Sequence, residues 1–202
     1  MYEERLDEEA IEIASAAGPI EGRLRRARQG SSGLAVVAPP HPLYGGTMSN
    51  PVVVAVVRAL ARQGVRTLRF NWRGTGRSAG RASGSLEDAA ADYGAALDAL
   101  LAAGPQPLGG EPTGCVVAAG YSFGSVAAAL VARERNEIGA VVLVAPPVGM
   151  LGEEPFTALE VPVAVVAGDT DEFAPASELR RVFGARDATC LHVVEGADHF
   201  FS

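Results

Sequence analysis

One kind of segment recurs along this chain: a short apolar run of strand length bounded by turn residues. Leu34–Ala38 reads LAVVA, Cys115–Ala119 CVVAA, Ala140–Val144 AVVLV and Val163–Ala167 VAVVA, with Val65–Phe70 and the shorter Leu191–Val194 as further members. Apolar runs without alternation fit strands buried on both faces, as in a parallel sheet. Helical patterns separate them. Pro51–Gln63 has Asn50 as N-cap and stops at Gly64; Ser85–Ala103 opens like a capping box; Phe123–Arg135 follows a glycine turn; Ala176–Phe183 is a shorter candidate. Strand and helix alternate throughout, which predicts an α/β fold with a mainly parallel sheet and helices on both faces. Ahead of it, Ala10–Ala14 and part of Ile20–Arg26 alternate apolar and polar residues around Gly18-Pro19, an antiparallel hairpin signal.

A length of 202 residues suits a single domain spanning 1–202. Gly104–Gly114 reads as a Pro/Gly-rich surface loop rather than a linker. The net charge of −7 argues against attraction to nucleic acid or anionic lipid. Arg23, Arg25, Arg26 and Arg28 are the local exception, read as the polar face of an edge hairpin with a mobile turn, with a phosphate-binding patch as the alternative. No apolar run approaches the roughly 20 residues of a membrane span. The acidic Met1–Glu9 segment does not look like a secretory leader, so a cytoplasmic location is expected.

All 17 basic residues are arginine. Without lysine there is no Ser-Lys dyad, no Schiff-base lysine and no Walker A lysine. The three histidines and two cysteines show no paired ligand spacing, so no metal is expected. Cys115 and Cys190 lie in strand-like runs and read as buried free thiols.

Gly120-Tyr121-Ser122-Phe123-Gly124 spells G-x-S-x-G between an apolar strand and a small-residue helix. That strand–turn–helix setting suits a serine held on a sharp turn, whose neighbours must lack side chains for the backbone to bend. A serine hydroxyl is a weak nucleophile until a base takes its proton, and without lysine that base is a histidine. His41 precedes the first long helix and His192 sits within a presumed strand, where a structural role is expected. His199 lies in a loop just beyond the last strand and is the expected base. The acid belongs at a strand end between Ser122 and His199. The Gly168–Pro175 loop offers Asp169, Asp171 and Glu172, and spacing does not choose between Asp169 and Asp171.

These residues, in the order Ser, Asp, His, resemble the α/β-hydrolase superfamily over nearly the whole chain. In relatives the acid usually ends a G-x-x-D pattern ahead of a proline; here Gly168-Asp169-Thr170-Asp171, with Pro175 beyond, favours Asp171. The loops His41–Asn50 (HPLYGGTMSN) and Asn71–Ser78 (NWRGTGRS) are similar to those of a group of small, lid-less bacterial serine hydrolases. The resemblance implies a catalytic Ser122–Asp171–His199 triad. It also implies an oxyanion hole from the N–H groups of Phe123 and Leu43, with Tyr44 the second choice for the latter, and substrate contacts at Tyr44 and Tyr121. The Arg73–Ser78 loop lacks phosphate-loop spacing, so Arg73 is expected to anchor structure by bonding nearby carbonyls. Only Ala145–Glu160 stands where relatives insert a lid, which predicts an open site. Relatives continue past the histidine loop into a covering helix, whereas this chain stops at Ser202; the last strand is then covered otherwise, or the base sits on a mobile tail.

The function this implies is hydrolysis of a small-molecule carboxylic ester or thioester through an acyl-enzyme, with no cofactor. A peptidase or amidase using the same groups and a non-catalytic hydrolase-fold binding protein are the alternatives. Oligomeric state is left open.

Overall fold

A computed structural model describes residues 6–25, 33–103, 115–184 and 188–202. The N-terminal hairpin forms as β1 (Glu8–Ile13) and β2 (Ile20–Arg25), paired antiparallel from Glu8 opposite Arg25 to Ile13 opposite Ile20. β2 pairs antiparallel with β4 (Val65–Phe70). All further pairings are parallel, through β3 (Gly33–Ala38), β5 (Cys115–Tyr121), β6 (Ile138–Val144), β7 (Val163–Gly168) and β8 (Thr189–Val194). The result is an 8-stranded sheet in the order β1-β2-β4-β3-β5-β6-β7-β8. The predicted α/β class, the mostly parallel sheet and the hairpin are all present.

The arginine cluster departs from expectation. The hairpin does form one edge of the sheet, with β1 outermost and β2 between β1 and β4. Arg25 is buried and its guanidinium donates to the Val65 carbonyl at 3.1 Å, while Arg66 Nε donates to the Arg25 carbonyl at 3.1 Å. The reason is that β4 needs a partner on that side, so the Arg25 side chain caps a backbone carbonyl of β4 rather than facing water. Arg26 and Arg28 lie outside the described residues.

Local chemistry sets the helix starts. α1 (Pro51–Arg62) opens with the Asn50 side chain accepting from Val52 N at 2.9 Å, and α2 (Leu86–Ala102) with Ser85 Oγ accepting from Asp88 N at 3.3 Å. α2, α3 (Phe123–Glu134) and α6 (Ala176–Phe183) bury their apolar faces in the main core cluster on one side of the sheet. On the other side, α1 packs Val53 and Val57 onto Val37, Ala119, Tyr121 and Val144. Past α1 that face thins out. Val142, Ala164 and Val166 are half-buried, and in register beside the last two stand Cys190 and His192, both exposed. The expectation of buried thiols is therefore corrected: Cys190 falls on the sheet face that α1 does not reach, and Cys115 opens β5 at an exposed position.

The segment between β6 and β7 holds two four-residue helices, α4 (Val148–Leu151) and α5 (Glu154–Thr157), and no lid. Among the described residues, no helix is long and apolar enough to cross a membrane.

Candidate active site

The parallel strands all deliver their carboxyl ends to one edge, where open α/β sheets form their sites. β5 runs straight into Ser122, which has φ 53° and ψ −118°, a conformation L-residues rarely adopt. The turn survives because its neighbours are bare. A Cβ on Gly120 would stand 2.0 Å from the Gly124 carbonyl oxygen, and one on Gly124 2.5 Å from that of Pro39. Ser122 N–H donates to the Val144 carbonyl at 2.8 Å, and its own carbonyl accepts from Ser125 N at 2.9 Å and from Ser125 Oγ at 2.5 Å. Its hydroxyl is left to face outward from the strand end.

The structure brings Ser122, His199 and Asp171 together. His199 Nε2 stands 3.0 Å from Ser122 Oγ, and Nδ1 stands 3.0 and 2.8 Å from the two carboxylate oxygens of Asp171. A carboxylate on Nδ1 requires the proton there, which leaves Nε2 with a lone pair for the serine proton. Asp171 is itself fixed, since its Oδ1 accepts from Phe173 N and Ala174 N at 2.9 Å each. Asp169, the alternative that spacing leaves open, instead accepts from Gly196 N in the same loop at 2.8 Å.

The histidine loop is clamped at several points. Thr170 donates to the Ala197 carbonyl through both N, at 3.1 Å, and Oγ1, at 2.8 Å. Asp198 accepts from Phe200 N, Ser202 N and Ser202 Oγ at 2.9, 3.1 and 3.0 Å, and these bonds, Ser202 N first, hold its carboxyl below the usual carboxylate range. Tyr121 is buried, not at a substrate-facing surface, and its hydroxyl donates to the His199 carbonyl at 2.9 Å. Burial, reinforced by the charges of Asp171 and Asp198, pushes that phenol up to about 12.

The loop after β3 forms the opposite wall. A 3₁₀ turn, Pro42–Tyr44, places Tyr44 87% exposed and Leu43 58% exposed. Leu43 N–H donates to His41 Nδ1 at 3.2 Å and Tyr44 N–H to the His41 carbonyl at 3.1 Å. The His41 ring lies 4.5 Å from Phe123 and 4.7 Å from Tyr44, and burial lowers its pKa. Phe123 opens α3, so its N–H has no intrahelical acceptor and lies at the positive end of the helix dipole.

Two layers of support underlie this edge. Trp72 Nε1 donates to the carbonyls of Pro39 at 3.2 Å and Pro40 at 3.0 Å, holding the β3 loop from beneath. Arg73 is anchored, but mainly by carboxylates. It bonds Asp92, which is 1% exposed, at 2.8 Å and also Asp88, with one carbonyl contact, that of Asp88. Sequence reasoning missed the parts played by Tyr121, Asp169, Thr170, Asp198 and His41. Each acts on a partner brought near by the fold or on its own backbone, and no spacing marks it.

The alpha/beta hydrolase domain family matches residues 44–202, and the chain belongs to that family. It is 32% identical over 193 residues to an uncharacterized protein of Rickettsia prowazekii, covering 91% of this chain and 78% of that one. An alpha-beta serine hydrolase homologue from Coxiella burnetii superposes with a TM-score of 0.78 at 31% identity, covering 95% of this chain and 89% of that one. A serine hydrolase without a lid from Xanthomonas campestris gives 0.80 at 25% identity, covering 98% and 88%.

Proposed function

We propose that the chain is a serine hydrolase that cleaves carboxylic esters or thioesters, with Ser122 as nucleophile, His199 as general base and acid, and Asp171 as its orienting partner. The observation that carries this reading is the continuous contact from Ser122 Oγ through both nitrogens of His199 to Asp171, at 3.0 and 2.8 Å. Ser122 Oγ attacks the acyl carbon as its proton passes to Nε2. The tetrahedral intermediate collapses when Nε2 returns that proton to the leaving oxygen or sulfur, giving the acyl-enzyme. Water, activated by the same nitrogen, then releases the acid. Asp171 remains ionised, holding the tautomer and stabilising the imidazolium.

The oxyanion is bound by Phe123 N–H and by Leu43 N–H. The latter rests on the His41 ring and turns to the oxyanion, a charged and therefore stronger acceptor, when that charge develops. Tyr44, exposed in the same turn as Leu43, is proposed to contact the substrate.

The test is labelling with a fluorophosphonate probe, followed by p-nitrophenyl acetate and p-nitroanilide turnover. The folded protein is expected to label at Ser122 and cleave the ester faster than the anilide, and Ser122→Ala to lose both labelling and turnover. A folded wild type that takes up no label would falsify this assignment.

A further inference from the structure

The large apolar side chains standing exposed among the described residues are Leu43, Tyr44, Met150, Leu151 and Phe200. Single exposed apolar residues are ordinary on any protein surface. These are not scattered: they follow β3, β6 and β8, at the strand ends that hold Ser122. Phe200 stands 66% exposed beside the base, its ring 5.5 Å from that of His199 and nearly perpendicular to it. Met150 and Leu151 lie on α4, which is tied to the acid loop by Gly149 N donating to the Phe173 carbonyl at 2.9 Å. The Phe173 ring in turn packs 4.8 Å from His199. The apolar surface therefore divides in two, with Leu43 and Tyr44 on the oxyanion side and Phe200, Met150 and Leu151 on the imidazole side.

The reaction gives the imidazole side a defined occupant. The nitrogen that takes the serine proton must hand it to the leaving atom, so that atom passes within hydrogen-bond reach of His199 Nε2. Whatever is bonded to the leaving atom then lies along the neighbours of that ring. Near the ring the charged groups are acidic, Asp198 beside Phe200 and the exposed Glu172 in the acid loop, while Glu153 and Glu154 around α4 are paired with Arg181 and Arg133.

We propose that Phe200, with Met150 and Leu151, binds an apolar, uncharged leaving group, so that the substrates are esters of apolar alcohols, or thioesters of apolar thiols, rather than thioesters of a phosphate-bearing carrier. This rests on Ser122 and His199 acting as described above. Apolar area on an open surface is only partly buried by a ligand, so each added methylene contributes about a twofold gain in kcat/KM, below the roughly fourfold expected of full burial.

Two ester series test it: acetates whose alcohol lengthens from methyl to hexyl, and methyl esters whose acyl chain lengthens equally, with a carboxylate-ended hexyl acetate alongside. Wild type is expected to gain about twofold per methylene in the alcohol series and to turn over the carboxylate-ended ester at least tenfold less efficiently than hexyl acetate. Phe200→Ser, and independently Met150→Ser, should flatten the alcohol series while leaving the slope of the acyl series in place. A flat alcohol series in an enzyme that turns over esters overturns the proposal alone, as does an alcohol slope that both variants retain. Ser122 labelling without turnover of any ester in either series overturns it too. Sedimentation showing a dimer that Phe200→Ser dissociates assigns the patch to a second copy of the chain and also overturns it. Absence of both labelling and turnover removes the hydrolase reading, and this proposal with it.

Discussion

Asp169 and Asp171 differ by two positions in sequence, yet one holds the imidazole and the other a backbone N–H of the histidine loop. The two substitutions should therefore differ in kind. Asp171→Asn replaces an acceptor with an amide that favours the wrong tautomer, and kcat is expected to fall roughly 10³- to 10⁴-fold. Asp169→Asn keeps a side-chain oxygen for Gly196 N, so its loss should stay below about tenfold. Steady-state kinetics on one ester, with circular dichroism to establish folding, separates them. The phenols carry a second prediction. Tyr121 is pushed up to about 12 by burial, and Tyr93, whose hydroxyl donates to the carbonyls of Val36 and Ala119, is raised further. Both folded values lie above the unfolded value of about 10. The stabilising protonated form is thus fully held below pH ~10, and stability should decline as pH rises from there towards the folded values. Urea midpoints measured between pH 8 and 11.5 should be level at first and then fall; a midpoint rising across that range contradicts the assignment.

Elements show which parts of the site could be read in advance. The strand–turn–helix around Ser122 was legible because its demands are local: an apolar strand, small residues at Gly120 and Gly124, and a helix following. His199 was legible by elimination, since lysine is missing and the other two histidines fall before a helix and within a strand. The choice between Asp169 and Asp171 as the imidazole's partner was not legible from spacing, because both carboxylates bond groups of the histidine loop and only the path of that loop decides which one meets the ring. Tyr121 reads as a pocket residue from its place inside the motif. It is instead buried, because alternate residues of β5 face the α1 side. How the two loops interlock was equally out of reach. A Cβ on Gly168 would stand 2.0 Å from the Ala197 carbonyl oxygen, in the stretch that Thr170 also grips. Gly168→Ala should push the histidine loop off Asp171, lowering kcat by at least tenfold with a smaller loss in stability, as activity and a thermal melt would show.

At the scale of the whole molecule, the described residues cover the sheet unevenly. One face is packed by α2, α3 and α6, while on the other α1 reaches only the central strands. Cys115 and Cys190 are both solvent-facing, and both should react with a thiol reagent in native protein at rates close to those in denaturant; slow, unfolding-limited reaction would contradict the exposed placement. Beneath the site, Arg73 and Asp92 bind the β4 loop to α2 through a largely buried ion pair. Asp92→Ala leaves a guanidinium with less compensation and should cost about 3 kcal/mol in a urea melt. The twisted backbone at Ser122, φ 53°, has the opposite sign of effect. Glycine occupies that region of conformational space at ease, whereas serine is held there against its preference. Exchanging the reactive side chain for hydrogen should therefore yield an inert but hardier protein, with Ser122→Gly melting about 2–4 °C higher for a gain of about 1 kcal/mol. On the proposed chemistry, reactivity and endurance draw on the same backbone angle, and a lineage freed from that chemistry would find its first stabilising step at the residue assigned to it.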